Sequence, residues 1–216
     1  MEYTEITAAD FDALDGVADW RVVLGGIVAD FACGSFPAAA ALSVGIADAA
    51  EGMRHHPDVD IRYPDLVRVT IITHATGGLT DHDVALAREV SVLAAGIGAS
   101  VASSVPQTVE IAIDTMDADR IRPFWAAALG YREQNGALVD PLRIGPPIWF
   151  QQMDEPRTDR DRFHIDVSVS HDQAEQRIAA VVAAGGRLVT DEFARAWWVL
   201  ADADGNEACI CTWQDR

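Results

Sequence analysis

The residues with the most chemistry in their types and spacing lie in the first 83 positions: Glu51, His55-His56-Pro57, Tyr63, Thr73-His74 and Asp83. An imidazole titrates near neutrality, with an ordinary pKa of about 6.5, so a cluster lets one ring donate a proton while another accepts one. Glu51 and His55 are four apart, and on a helix they share a face, so the carboxylate is expected to orient His55 and hold its tautomer. His74 ends a strand, pointing away from the apolar side chains of Val67, Val69 and Ile71. Each residue also has a plainer reading. Cationic side chains favour helix carboxyl ends, Asp83 follows Thr80 at capping-box spacing, and Tyr63 can be ordinary sheet packing. Zinc is the weaker alternative for the histidines, because only Glu51 is at hand to orient them.

The elements around these residues are legible from periodicity. Trp20 to Phe31 reads as a strand pair broken at Gly25-Gly26. A helix from about Pro37 to Arg54 carries Leu42, Ile46, Ala49 and Met53 at helical spacing, with proline in the first turn. Pro57 stops it. Val59 to Tyr63 and Val67 to Thr73 are strands around Pro64-Asp65-Leu66, and Thr80 opens a second helix. Gly98 to Gln107 (GASVASSVPQ) is small and polar and reads as a short linker, giving domains at 1-100 and 108-216.

The combined pattern E-x3-H-H-P-x5-Y, followed by T-H-x2-G-G-L-x3-D, resembles the pterin-4a-carbinolamine dehydratase family over about Trp20 to Ile97. The segment GGIVADFACGSFPAAAALSVGIADAAE resembles that family's strand and long helix. The resemblance implies that His55, His56 and His74 are the catalytic histidines. Glu51, Pro57, Tyr63, Thr73 and Asp83 would support them or bind substrate. It further implies loss of water from a 4a-hydroxytetrahydropterin by acid-base catalysis with no cofactor required, in a homodimer or homotetramer. Two departures stand out: Val59 replaces an aromatic residue common in the family, and the strand turn is one residue longer.

Past residue 108 a strand-helix-strands unit occurs twice. The helices, Asp117 to Leu129 and Asp172 to Ala184, each start at aspartate and stop at a glycine, Gly130 or Gly185. The repeat suggests two modules sharing one curved sheet. Val109 to Asp114, Phe124-Trp125 and Leu129-Gly130, then Phe163 to Val169 and the Asp202 to Cys209 segment, resemble the glyoxalase-like (vicinal-oxygen-chelate) superfamily from about Thr108 to Trp213. In its metal-dependent members the ligand positions would fall here on Glu110, His164 and Cys209, so a divalent metal is a candidate cofactor of this domain. Cys209 replaces the usual glutamate, and the preferred reading is that these three are a pocket residue, a hydrogen-bonded strand residue and a small buried hydrophobe. Trp149, Trp197 and Trp198 are candidates for an aromatic pocket. The expected class is α+β: an antiparallel sheet with helices on one face, followed by a paired βαβββ domain.

Composition narrows the alternatives. The net charge of -18 over 216 residues disfavours nucleic acid and anionic membranes as partners. All 16 basic side chains are arginine, which excludes lysine Schiff-base chemistry. Cys33, Cys209 and Cys211 make no disulfide framework. No apolar run is long enough to span a bilayer, and the polar start is unlike a targeting peptide, so the cytoplasm is expected. The rivals to a dehydratase are two: an enzyme whose main chemistry is metal-assisted and sits in the second domain, and a module that binds a pterin and a hydrophobic ligand without turnover.

Overall fold

The computed structural model describes residues 3–102, 106, 110–156, 165–169, 174–212 and 214–215. The chain divides into two compact units, Met1–Thr108 and Val109–Arg216.

In the first unit, β2 (Arg21–Val23), β3 (Gly26–Ala32), β5 (Leu66–Ile71) and β4 (Asp58–Arg62) form an antiparallel sheet in the order β2-β3-β5-β4. The register pairs Ile27 with Ile71 and Val59 with Val69. Alternation sends Ile27, Ala29, Phe31, Val67, Val69 and Ile71 into one core. Two helices cover that face: α2 (Phe36–Met53), through Ala39, Leu42, Ile46 and Ala50, and α3 (Asp81–Gly96), through Val84, Leu86, Ala87, Val90 and Ala94. Burying each Leu or Ile contributes about 1.5–3 kcal/mol. On the other face Asp30 and Arg68 are cross-strand partners joined by two 2.7 Å hydrogen bonds, so this buried carboxylate is fully paired.

Three features were absent from the sequence reading or differ from it. A five-residue helix, α1 (Ala8–Asp12), is closed by a Thr7-Asp10 capping box. The two-residue strand β1 (Glu5–Ile6) pairs with β6 (Leu79–Thr80), immediately before α3. Ser100 and Val101, inside the stretch expected to be a linker, form β7 and pair with β3. Small polar composition suits a short edge strand as well as a linker, and the pattern cannot separate them.

The second unit contains two βαβββ modules. β8 (Ile111–Thr115), α4 (Ala118–Leu129), β9 (Arg132–Gln134), β10 (Ala137–Val139) and β11 (Ile148–Gln152) give a sheet ordered β8-β11-β10-β9. β12 (Ile165–Ser168), α5 (Ala174–Ala183), β13 (Arg187–Thr190), β14 (Trp197–Ala201) and β15 (Glu207–Cys211) repeat it as β12-β15-β14-β13. In both modules the first and last strands pair in parallel. The expected single shared sheet is thus two four-stranded sheets. What joins the modules is side-chain packing: Ile113, Phe124, Trp125 and Leu138 share a core with Val181, Leu200 and Ile210. Asp117 caps α4 and Gly130 ends it at φ 71°. The expected cap Asp172 lies outside the described residues. Gly186 is required for contact, because a Cβ there would run into Phe124.

Candidate active site

The helix α2 ends at Met53, within a residue of the end its apolar pattern suggests, and the way it ends places the histidines that follow. Arg54 adopts the left-handed conformation (φ 53°, ψ 40°), and its N–H and that of His55 close onto Ala50 O. The reversal turns His55 inward. Its ring is buried, with Nε2 2.8 Å from Asp83 Oδ1. The expected pairing of Glu51 with His55 is therefore wrong. Glu51 meets His56 instead, at 3.0 Å, and both are exposed. Spacing of four predicts a shared helix face only while the helix continues, and here it stops at Met53.

Asp83 is the centre of the arrangement and has no exposure at all. Its Oδ2 accepts from the Thr80 amide at 2.6 Å and from Thr73 Oγ1 at 2.7 Å, while Oδ1 faces His55. The capping box expected at Thr80 is present. One carboxylate thus caps α3, ties in the end of the β5 segment and receives His55. Because the carboxylate accepts, His55 presents Nε2–H to it, and the lone pair of the neutral ring lies on Nδ1. Among the described residues, Arg122 Nε is the buried side-chain nitrogen left without a partner. Nδ1 of His55, which has no partner either, therefore keeps contact with solvent.

The other expected residues divide. Thr73 belongs to the cluster through Asp83 and Thr80. His74 follows it directly, exposed on the turn of residues 74–77 rather than on the strand itself. Pro57 is half-buried between α2 and β4. Tyr63 is not part of the cluster. It is 96% exposed, at the far end of β4 from His56, and five residues of strand separate it from Asp58 by about 17 Å. Sequence proximity was misleading because a hairpin carries its turn away from its ends.

One ring was missed. His82, the residue before Asp83, lies edge-on to His55 with ring centres 6.0 Å apart. Its other neighbour is Tyr3, at 5.1 Å. A histidine beside Asp83, itself expected as a cap and as a supporting residue, was the available signal.

In the second unit Glu110 is exposed and His164 lies outside the described residues. Cys209 is buried on β15, and burial, reinforced by the nearby Asp166 carboxylate, pushes its thiol up to about 12. A thiol where an oxygen donor is usual does not fit an oxygen-loving divalent ion. Among the described residues no group of three His, Cys, Asp or Glu side chains is placed to hold a metal. Of the tryptophans, Trp198 packs on the core, Trp197 stacks on Phe193 at 4.7 Å, and Trp149 is partly exposed. Trp197 and Trp198, adjacent on one strand, face opposite sides and cannot line one pocket together.

A carboxylate-held imidazole thus sits at the junction of two helices and an antiparallel sheet on an α+β scaffold, an arrangement whose chemistry suits acid-base work. Residues 4–93 match the model of the pterin 4 alpha carbinolamine dehydratase family, and residues 110–211 match a glyoxalase-like domain. A relative from Nocardia farcinica, provisionally named a pterin-4-alpha-carbinolamine dehydratase, is 45% identical over 82 residues, which are 38% of this chain and 85% of that protein. A transcriptional coactivator/pterin dehydratase from Brucella melitensis is 30% identical over 42% of this chain and 99% of its own, with a TM-score of 0.38. A glyoxalase/bleomycin resistance protein/dioxygenase family enzyme from Burkholderia phytofirmans is 19% identical, covering 48% of this chain and 95% of its own, with a TM-score of 0.40. Through its first unit the chain belongs to the pterin-4-alpha-carbinolamine dehydratase family. Among the described residues no helix is long and apolar enough to cross a membrane.

Proposed function

We propose that the first unit dehydrates a 4a-hydroxytetrahydropterin to the quinonoid dihydropterin. The bond from C4a to the hydroxyl oxygen breaks, the hydroxyl takes a proton and leaves as water, and a ring or exocyclic nitrogen gives up a proton. Electron donation from nitrogen already labilises the carbinolamine, so general acid-base catalysis, typically worth about 10²–10⁴-fold, is sufficient. The step needs no metal and no redox cofactor.

The observation that carries this reading is the buried contact from His55 Nε2 to Asp83 Oδ1. It supports a ring held in one tautomer with Nδ1 toward solvent. The carboxylate then faces the charge the ring acquires when Nδ1 takes the substrate proton. His74 supplies the complementary acid, and His56, steadied by Glu51, binds and orients the pterin. Pro57 and Thr73 act by holding this geometry. The working species is a homodimer or homotetramer in the cytoplasm, and the two domains are those divided at 100 and 108. The test is the rate of carbinolamine loss with purified protein. The wild type is expected to accelerate it, and the His55→Ala plus His74→Ala double variant is expected to lose that acceleration. Equal rates for the two proteins would rule the reading out.

A further inference from the structure

We infer that His82 is a fourth imidazole of this site, one that contacts the pterin and sets its affinity. The inference rests on the dehydratase reading of the first unit and deepens it by naming a substrate-binding residue. His82 is half-buried, and its ring lies edge-on to His55 with centres 6.0 Å apart. A fused bicycle with its exocyclic groups is longer than that separation, so a pterin bound at His55 is long enough to reach the neighbouring ring.

The two rings differ in what their nitrogens do. His55 commits Nε2 to Asp83. His82 uses its backbone amide to complete the α3 cap on Thr80 Oγ1, and among the described residues its ring nitrogens make no hydrogen bond. They are also not among the buried unpaired nitrogens, so they reach solvent. One imidazole is thus fixed for proton transfer, and its neighbour has both nitrogens available to a polar heterocycle edge.

The position of His82 is built rather than incidental. β1 pairs with β6, the Asp81 amide donates to Thr4 O, and the Thr4 amide donates to Asp81 Oδ1. These contacts bring Tyr3 against His82, at 66° to its plane. His82 thus touches both Tyr3 and His55, and the pairing of β1 with β6 fixes where it sits.

The test uses the whole chain with His82→Phe, His82→Asn, His82→Gln, Tyr3→Ala and Tyr3→Phe, each checked for a wild-type melting curve. Steady-state dehydration gives kcat and KM, and fluorescence titration gives the Kd of 7,8-dihydrobiopterin. His82→Phe keeps the ring and removes the nitrogens. It should raise KM and Kd about tenfold, the worth of one hydrogen bond, with kcat within threefold. The better of His82→Asn and His82→Gln should restore most of that loss. Tyr3→Ala should weaken binding about threefold, and Tyr3→Phe should not. Wild-type KM and Kd in His82→Phe, or no recovery with either amide, would overturn the assignment by reducing His82 to packing. A wild type that binds the pterin without turning it over defeats the dehydratase reading and leaves His82 to be judged by the Kd ratio. A wild type that binds no pterin defeats both.

Discussion

The two units use buried aspartates of similar geometry for different ends. In the first, Asp83 receives two backbone or hydroxyl donors and then an imidazole that has a second nitrogen free for chemistry. In the second, Asp202 accepts from the amides of Asp204 and Asn206, the Asn206 side chain and the Trp125 indole, and no titratable donor is among them. Asp140, which is only half-buried, also accepts from Leu142, Ile144 and Gly145, which hold its carboxyl below the usual range. A buried carboxylate is not by itself a functional signal. What matters is whether one of its partners can carry a proton to a ligand.

This contrast can be broken experimentally, and the largest effect is expected at Asp83. Asp83→Ala strands the Thr80 amide, Thr73 and His55 in the core. It should cost on the order of 3–5 kcal/mol in a denaturant titration and abolish dehydration. Asp202→Ala should also destabilise, by about 1–3 kcal/mol, seen as an earlier melt of the second unit, yet dehydration should be unchanged. A fall in dehydration with Asp202→Ala would mean that the units are not functionally separable in this way.

The next effect is chemical. The raised thiol of Cys209 stays protonated in the native protein while an unfolded cysteine ionises above about pH 9. Its folded pKa is the higher one, so its contribution to stability is complete below the unfolded value and is lost as pH rises from there toward 12. Cys209→Ala should therefore flatten part of the alkaline fall in stability over that window. At pH 8 the native thiol should resist iodoacetamide. Rapid alkylation there would contradict a buried, neutral Cys209.

The smallest effect belongs to Glu51. Its contact with His56 is exposed on both sides, and such pairs contribute at most about 1 kcal/mol. Glu51→Gln should leave the melting curve within error and alter KM more than kcat. A large loss of kcat would restore the view that Glu51, rather than Asp83, governs the proton-transfer ring.

Much of this was legible in the sequence, because periodicity and capping are local. The helices from Phe36 and Asp81, the strands of the first sheet and the two βαβββ modules follow from spacing and from Asp117, Gly130 and Thr80. The partner of His55 was not. It depends on a left-handed Arg54, where an arginine gives no hint of the turn that glycine would have announced. The role of His82 was hidden because it needs β1 on β6, a two-residue pairing across more than seventy positions. The place of Tyr63 was not legible because a motif lists residues without saying which end of a hairpin each occupies.

The most direct measurement compares carbinolamine dehydration by the whole chain carrying His55→Ala with that of the chain carrying Cys209→Ala. The account predicts a loss of about 10²-fold or more for the first and an unchanged rate for the second. Equal rates in the two variants, or a loss confined to Cys209→Ala, would contradict it.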